Sequence, residues 1–201
     1  MSSASFVVRI AVTLMTTDSD RQLLLRIARD AVVAHVGGAP LRETGPTALA
    51  GRRGGAFVSL HSRAGELRGC IGRIEQDQFL PEVVARCAVA ACSTDPRFPP
   101  VALTEVADLV IELSLLGPLE PIAGAGEIEI GRHGLVIEKG RRRGLLLPQV
   151  ATEWSWDCEQ FLGETCRKAG LPQDAWQHGA SIWRFEAEVF GEESDSPGRR
   201  R

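Results

Sequence analysis

The chain has 201 residues, of which 44% are hydrophobic and 24% are charged, and its formal net charge is -3. These proportions are typical of a globular protein with one core, or with two small lobes that share one. The acidic balance, an aromatic content of 5% and the absence of tyrosine argue against a nucleic-acid-binding protein, which needs a basic face or stacking aromatic rings.

The cysteine pattern and the hydropathy pattern indicate an intracellular setting. Five cysteines are present, without a Cys-x-x-Cys pair and without the cysteine and histidine spacing of a zinc site. Reduced thiols and a cytoplasmic location are therefore expected. No apolar run reaches about 18 residues, so no membrane-spanning helix is predicted. The sequence contains no cofactor motif and predicts no cofactor.

The two ends of the chain are expected to lie outside the domain, which the sequence places at residues 19–191. Residues 1–18 form an N-terminal extension, and Met15 is an alternative start of equal weight. Arg9 interrupts the apolar stretch near the N-terminus, which is therefore a poor signal peptide. Residues 192–201 are polar, contain proline and glycine, and are predicted to be disordered.

Three helices are predicted from apolar residues at helical spacing. The first covers residues 19–35, with Ser19 as N-cap and Gln22 in the capping-box position. The others cover residues 78–91 and 157–169. Strands joined by short turns separate these helices, which predicts an α+β fold with a mainly antiparallel sheet. Similar elements recur in the two halves of the chain, and this leaves a structural duplication open.

A hairpin is the strongest strand signal, with strands at residues 56–62 and 67–74. The expected register places Ser59 opposite Cys70 and His61 opposite Arg68, so that the four side chains share one face of the sheet. Further strands are predicted at residues 109–116, 127–131, 134–139, 144–147 and 181–189.

The hexapeptide LRGCIG at residues 67–72 is the main candidate site. Period-2 alternation puts Arg68 and Cys70 on one face, where the cation would favour the thiolate form of the cysteine. Gly69 and Gly72 would give a substrate close access to the backbone. The alternative is structural: the glycines allow tight packing, Cys70 fills the core, and Arg68 pairs with an acid such as Asp95.

Other candidate residues flank this motif. His61 or His133 could act as the base for Cys70, which makes Cys70, Arg68 and His133 the candidate catalytic set. Asp95 and Arg97 lie in a proline-rich loop, where they could orient an anionic group or lock the loop through an ion pair. The candidate substrate-binding residues are Gly69, Gly72, Asp95, Arg97, Ser59 and His61.

A metal site is not predicted. Cys70, His61 and His133 could supply three ligands only if two hairpins converge, and Arg68 would oppose a cation there.

Six motifs occur in an order that resembles the AMMECR domain family. The resemblance covers about residues 21–190, and the motifs are GAFV at 55–58, LRGCIG at 67–72, DPRFPP at 95–100, IGRHGL at 130–135, LPQVA at 147–151 and KAGL at 168–171. It implies an α+β fold of β-β-β-α-α repeats around a barrel-like sheet in two lobes. It also implies that Arg68–Gly69–Cys70 is the family hallmark and proposed active site, to which His61 does not belong.

The resemblance further implies partners. Such a protein would be the A component of the AmmeMemoRadiSam set, acting with a Memo-type protein and a radical S-adenosylmethionine enzyme. Two interpretations follow. The chain is an enzyme component that binds a small substrate beside Arg68 and Cys70, or it is a non-catalytic adaptor whose motif surface docks those partners.

Overall fold

Seven strands form one sheet in the computed structural model, which describes residues 16–40, 49 and 51–192. The order across the sheet is β2-β1-β3-β7-β5-β6, the short β4 also pairs with β7, and every pairing is antiparallel. This confirms the expected α+β class. The strands are β1 (Gly55–Ser62), β2 (Leu67–Arg73), β3 (Leu109–Leu116), β4 (Glu120–Ile122), β5 (His133–Lys139), β6 (Arg142–Leu146) and β7 (Ser181–Gly191).

The described chain has four α-helices; the first, second and fourth begin and end within two residues of the predicted positions, and the short third one is not predicted. They are α1 (Asp18–Val36), α2 (Leu80–Ser93), α3 (Pro148–Glu153) and α4 (Cys158–Lys168). The predicted cap of α1 is wrong by two residues. Thr17 is the N-cap, since its side chain accepts the N–H of Asp20 while the Asp20 carboxylate accepts the N–H of Thr17.

One predicted strand, at residues 127–131, is absent from the described chain. A 3₁₀ turn occupies Ala125–Glu127, and the backbone N–H groups of Arg132 and His133 both donate to the carbonyl of Glu129. This turn uses the left-handed φ of +85° at Gly131, so β5 cannot begin before His133. The family resemblance implies β-β-β-α-α repeats. One run of elements has this order if the short strand β4 is not counted: β3, β5, β6, α3 and α4.

The sheet order is palindromic, because the units β1-β2-α2-β3 and β5-β6-α4-β7 meet at β3 and β7. Equivalent glycines support this duplication. A Cβ on Gly69 in β2 would lie 2.1 Å from the carbonyl oxygen of Ala91 in α2. A Cβ on Gly144 in β6 would lie 2.4 Å from the backbone nitrogen of Ala169 at the end of α4. In both units, glycine lets the end of the helix touch the edge strand.

The two faces of the sheet differ in what covers them. On the outer face, α1 and α2 pack on β1 and β3 around a large core, and α4 packs on the second unit around another. On the inner face, residues from both units meet in a third cluster that contains Leu116, Val136, Leu145 and Phe185. Arg143 on the edge strand β6 pairs with Glu75, which follows the other edge strand β2, at 3.1 Å. The sheet is therefore curled into half a barrel.

Two residues that the sequence places outside the domain, Asp18 and Glu192, belong to described elements or contacts. Residues 1–15, including the alternative start Met15, and residues 193–201 lie outside the described residues. Asp18 belongs to α1, and Glu192, expected in the tail, accepts the N–H of Ile111 at 2.9 Å and pairs with Arg29. No helix in the described part of the chain is both long and apolar enough to cross a membrane.

Candidate functional site

The register of the β1–β2 hairpin is confirmed at Ser59 and Cys70, which face each other. It is wrong at His61, which lies opposite Leu67 instead of Arg68. The register shifts by one residue beside Leu60, so Arg68 is the extra residue of a β-bulge. Because of the bulge, Arg68 is not paired with His61 across the hairpin.

Arg68 holds the loop that follows α2. Its guanidinium makes two hydrogen bonds to the Glu105 carboxylate, at 2.7 and 3.1 Å, and donates to the carbonyl of Pro99 at 2.8 Å and to that of Pro100 at 3.3 Å. Hydrogen bonding to Glu105 raises the pKa of Arg68, against the opposing effect of burial. The acid that pairs with Arg68 is therefore Glu105, and the expectation of Asp95 is wrong.

The side chains of Asp95 and Arg97 both hydrogen-bond to the backbone of Cys70, and together they form a clamp. The Cys70 N–H donates to the Asp95 carboxylate at 2.8 Å, and the Arg97 guanidinium donates to the Cys70 carbonyl at 3.2 Å. The two side chains also bond to each other at 2.6 and 2.9 Å. Because β2 is an edge strand, this clamp occupies backbone groups that a neighbouring strand would otherwise pair with.

The electrostatics of the clamp favour the ion pair. Hydrogen bonds from Arg97 hold the pKa of Asp95 well below its usual range; burial opposes this, and the Cys70 N–H assists it. The pKa of Arg97 is raised, mainly by Asp95 and to a smaller extent by the Cys70 thiol group. The cation beside Cys70 is thus Arg97, whereas the contacts of Arg68 lie in the loop.

Both glycines of the motif have packing roles. Gly69 admits the end of α2, as described above. A Cβ on Gly72 would lie 2.2 Å from the ring of Phe57, which faces it across the hairpin. These close approaches explain the glycines without a bound substrate.

His133 lies in the second unit, far from Cys70. Three strands separate β5 from β2 in the sheet, which corresponds to about 19 Å at the usual strand spacing. The ring is buried and its Nδ1 accepts the N–H of Glu129 at 3.0 Å. Burial lowers the pKa of His133, and the cations of Arg184 and Arg132 act in the same direction. The structure does not bring His133 to the thiol.

The described residues also contain no group of three or more His, Cys, Asp or Glu side chains arranged to hold a metal ion. The three-ligand set of Cys70, His61 and His133 is not assembled, because His133 belongs to the other unit of the sheet.

A polar row crosses the inner face of the first unit. Cys70, Ser59 and Glu112 lie side by side on β2, β1 and β3, and all three are half-buried. The Ser59 hydroxyl donates to the Cys70 sulfur at 3.2 Å. Sequence reasoning missed Glu112, although it is the only charged residue in the apolar segment LVIELSLL of β3.

His61 occupies the next position on the same face of β1, since side chains alternate along the strand. Both of its ring nitrogens are buried and have no hydrogen-bond partner among the described residues. Buried polar atoms without a partner are rare in proteins and call for an explanation such as a ligand or a water molecule.

These features define the class of protein: an α+β chain with a duplicated β-β-α-β unit, whose edge strand presents a cysteine on the inner face of a half-barrel. The AMMECR1 family model matches residues 25–190. The chain belongs to the AMMECR1 family.

Similar proteins occur in several organisms. A protein of Methanothermobacter thermautotrophicus is 43% identical over 180 residues, which cover 85% of this chain and 93% of the relative. Protein MJ0810 of Methanocaldococcus jannaschii is 48% identical over 146 residues, covering 69% and 73% of the two chains. The crystal structure of the uncharacterized protein PH0010 from Pyrococcus horikoshii is similar, with a TM-score of 0.79 and 41% identity over 86% of this chain and 91% of that one.

Proposed function

We propose that this protein is a component of a multiprotein enzyme system, in which it holds a small substrate against the Cys70 thiol. Its partners in that system are a Memo-type protein and a radical S-adenosylmethionine enzyme. The observation that carries the proposal is the position of Cys70: half-buried, on the inner face, with its sulfur hydrogen-bonded to Ser59. The AMMECR family membership supports the choice of partners.

The contacts of the motif separate structural residues from residues that the fold does not explain. Arg68 and Asp95 hold the loop and the edge strand, and Gly69 admits α2. By contrast, neither the Cys70 thiol nor the His61 ring holds another element in place. Arg68, Asp95 and Gly69 can therefore be interpreted as the structural support of one thiol.

The thiol is suited to contact a substrate. Ser59 orients the sulfur from one side, and Arg97 and Asp95 fix its backbone from the edge of the sheet. Such a fixed, partly accessible sulfur serves as a nucleophile or as a ligand-binding group. His133 does not serve as its base, because β5 lies in the second unit.

Reconstitution tests this proposal. The wild-type protein, Cys70→Ser and the matched thiol control Cys158→Ser would each be combined with the two partner proteins, and both complex formation and product formation would be measured. We expect Cys70→Ser to form the complex without product and Cys158→Ser to behave as wild type. Product formation by Cys70→Ser would overturn the role of the thiol.

A second candidate function is the non-catalytic adaptor. The observation that favours it is the loop at residues 95–100, which Arg68 and Asp95 hold in one shape and which presents the half-exposed Arg97 side chain. In the same reconstitution, an adaptor would lose complex formation on Arg97→Ala, while Cys70→Ser would have no effect on any product. The two variants thus separate the two functions.

A further inference from the structure

The duplication provides an internal comparison for the polar row. Gly69 and Gly144 are equivalent, so the residues that follow them, Cys70 and Leu145, are equivalent as well. Following the pairing across each unit, Ser59 corresponds to Val136 and Glu112 to Trp183. The row Cys70–Ser59–Glu112 in the first unit therefore matches the row Leu145–Val136–Trp183 in the second.

The row in the second unit is apolar, so the fold does not require polar side chains at these three positions. Leu145 and Val136 are buried in the inner cluster, against which Trp183 packs. In the first unit the same three positions carry a thiol, a hydroxyl and a carboxylate. The Glu112 side chain makes no hydrogen bond or ion pair with a described residue. A half-buried carboxylate without a partner costs stability, so the fold does not account for it.

The cations around Cys70 are already neutralised. Arg97 is paired with Asp95, and Arg68 is paired with Glu105. Glu112 is thus the unpaired charge of this part of the described inner face. The unpartnered ring nitrogens of His61 lie one position further along the same face. The patch therefore combines the negative charge of Glu112 with an imidazole that has one hydrogen-bond donor and one acceptor when neutral.

We propose that the substrate held at Cys70 carries a cationic or N–H-donating group, such as an amine, and that Glu112 accepts this group while the reacting atom lies at the thiol. This inference rests on the proposed function, which it narrows to a substrate class. Two strand spacings separate Cys70 from Glu112, or about 10 Å between Cα atoms. The substrate spans this distance along the row, with Ser59 beneath it.

Charged thiol reagents test the role of Glu112. Trimethylammonioethyl and sulfonatoethyl methanethiosulfonate share one reaction: the Cys70 thiolate attacks the sulfenyl sulfur, a disulfide forms, and methanesulfinate leaves. Rates at Cys70 would be measured for both reagents by peptide mass mapping at low ionic strength. Their ratio cancels the thiolate fraction, which is the same for both, and reports the local charge.

The matched variants are Glu112→Gln and the control Glu66→Gln, which removes an exposed carboxylate at the end of the same hairpin. We expect Glu112→Gln to lower the ratio of cationic to anionic rates about fivefold, and Glu66→Gln to change it by less than about twofold. We also expect Glu112→Gln to unfold at the same temperature as the wild type or a higher one, because an unpaired carboxylate is removed.

The possible failures are distinguishable. If neither reagent modifies Cys70, the thiol is closed off and the proposed function is overturned with this inference. If Cys70 reacts but Glu112→Gln leaves the ratio unchanged, or if Glu66→Gln changes it equally, only the assignment of Glu112 is overturned.

Discussion

The backbone N–H of Cys70 donates a hydrogen bond of 2.8 Å to the carboxylate of Asp95, whose side chain is only 2% exposed. A carboxylate buried to this degree is stable when it is paired and hydrogen-bonded, and Arg97 supplies the pairing. On the side of β2 that faces away from β1, the Cys70 N–H is therefore bound by a charged side chain. The shape of the candidate site should depend on the charge of that side chain.

Acid should weaken the protein through Asp95. Its pKa is lowered in the folded state by Arg97, so the stabilisation is complete above the ordinary carboxyl pKa of about 4 and is lost as the pH falls below it. We expect the free energy of unfolding to fall between about pH 5 and pH 3, measured by urea unfolding. Asp95→Asn should cost about 2–4 kcal/mol at neutral pH and should flatten this pH dependence. An unchanged slope in Asp95→Asn would contradict the assignment.

Gly69→Ala should destabilise the protein, because the new Cβ would lie 2.1 Å from the carbonyl oxygen of Ala91 and α2 would have to shift. We expect a loss of about 1–3 kcal/mol in chemical unfolding. Gly54→Ala is the control, since its Cβ would make an ordinary 3.6 Å contact with Leu80, and it should stay within about 1 kcal/mol of wild type. Equal effects of the two substitutions would argue against close helix packing at Gly69.

Arg68→Met should loosen the loop after α2 while keeping an apolar stem. The Arg68 side chain is 17% exposed and its guanidinium bonds to Glu105 and two loop carbonyls, so we expect a cost of about 2–3 kcal/mol. Arg167→Met removes a 63%-exposed arginine paired with Glu164 and should cost less than about 1 kcal/mol. Limited proteolysis would show whether cleavage of Arg68→Met increases at residues 95–105, and protection equal to wild type would refute the loop-holding role.

The five cysteines should separate into two groups on alkylation with iodoacetamide at neutral pH. Cys70 and Cys158 are half-buried, whereas Cys87, Cys92 and Cys166 are buried. Burial raises the pKa of the three buried thiols, that of Cys87 to about 11. Mass mapping should find the first group modified in the folded protein and the second only after denaturation. Early modification of Cys87 would show that α2 opens in the native state.

Ser59→Val copies the residue that stands at the equivalent place in the second unit. It removes the hydrogen bond to the Cys70 sulfur but adds apolar surface to the inner face. We expect the melting temperature to stay equal or to rise by a few degrees. A large fall in melting temperature would mean that the hydroxyl is needed by the fold, which would weaken the argument from the duplication.

Local patterns in the sequence were sufficient for the fold class. The hairpin register at Ser59 and Cys70 follows from strand alternation and a short loop, and α2 and α4 follow from helical spacing. The partner of Arg68 could not be predicted, because Glu105 lies 37 residues away in the sequence. Contacts that are distant in sequence leave no periodic signal.

The contacts of several candidate site residues depend on tertiary distances, which local sequence patterns do not carry. The sequence allows Asp95 and Arg97 to be either ligand-orienting or structural residues. Their hydrogen bonds to the Cys70 backbone depend on the tertiary fold, which brings the loop after α2 beside β2. His133 was a reasonable base by residue type, yet strand order puts it in the other unit. Glu112 is recognisable in the sequence as a single charge in an apolar strand. Its place in the candidate site follows only from the strand pairing, which puts it beside Ser59 and in line with Cys70.

The strand β7 has a consequence for how the protein is made. Residues 181–186 complete the second unit beside β5, and residues 187–191 pair with β3. Because β7 leaves the ribosome after the other six strands, β3 and β5 each have an open hydrogen-bonding edge during synthesis. Chains interrupted before Ser181 should therefore associate through these edges, and nascent chains should need protection by a chaperone until the last strand emerges.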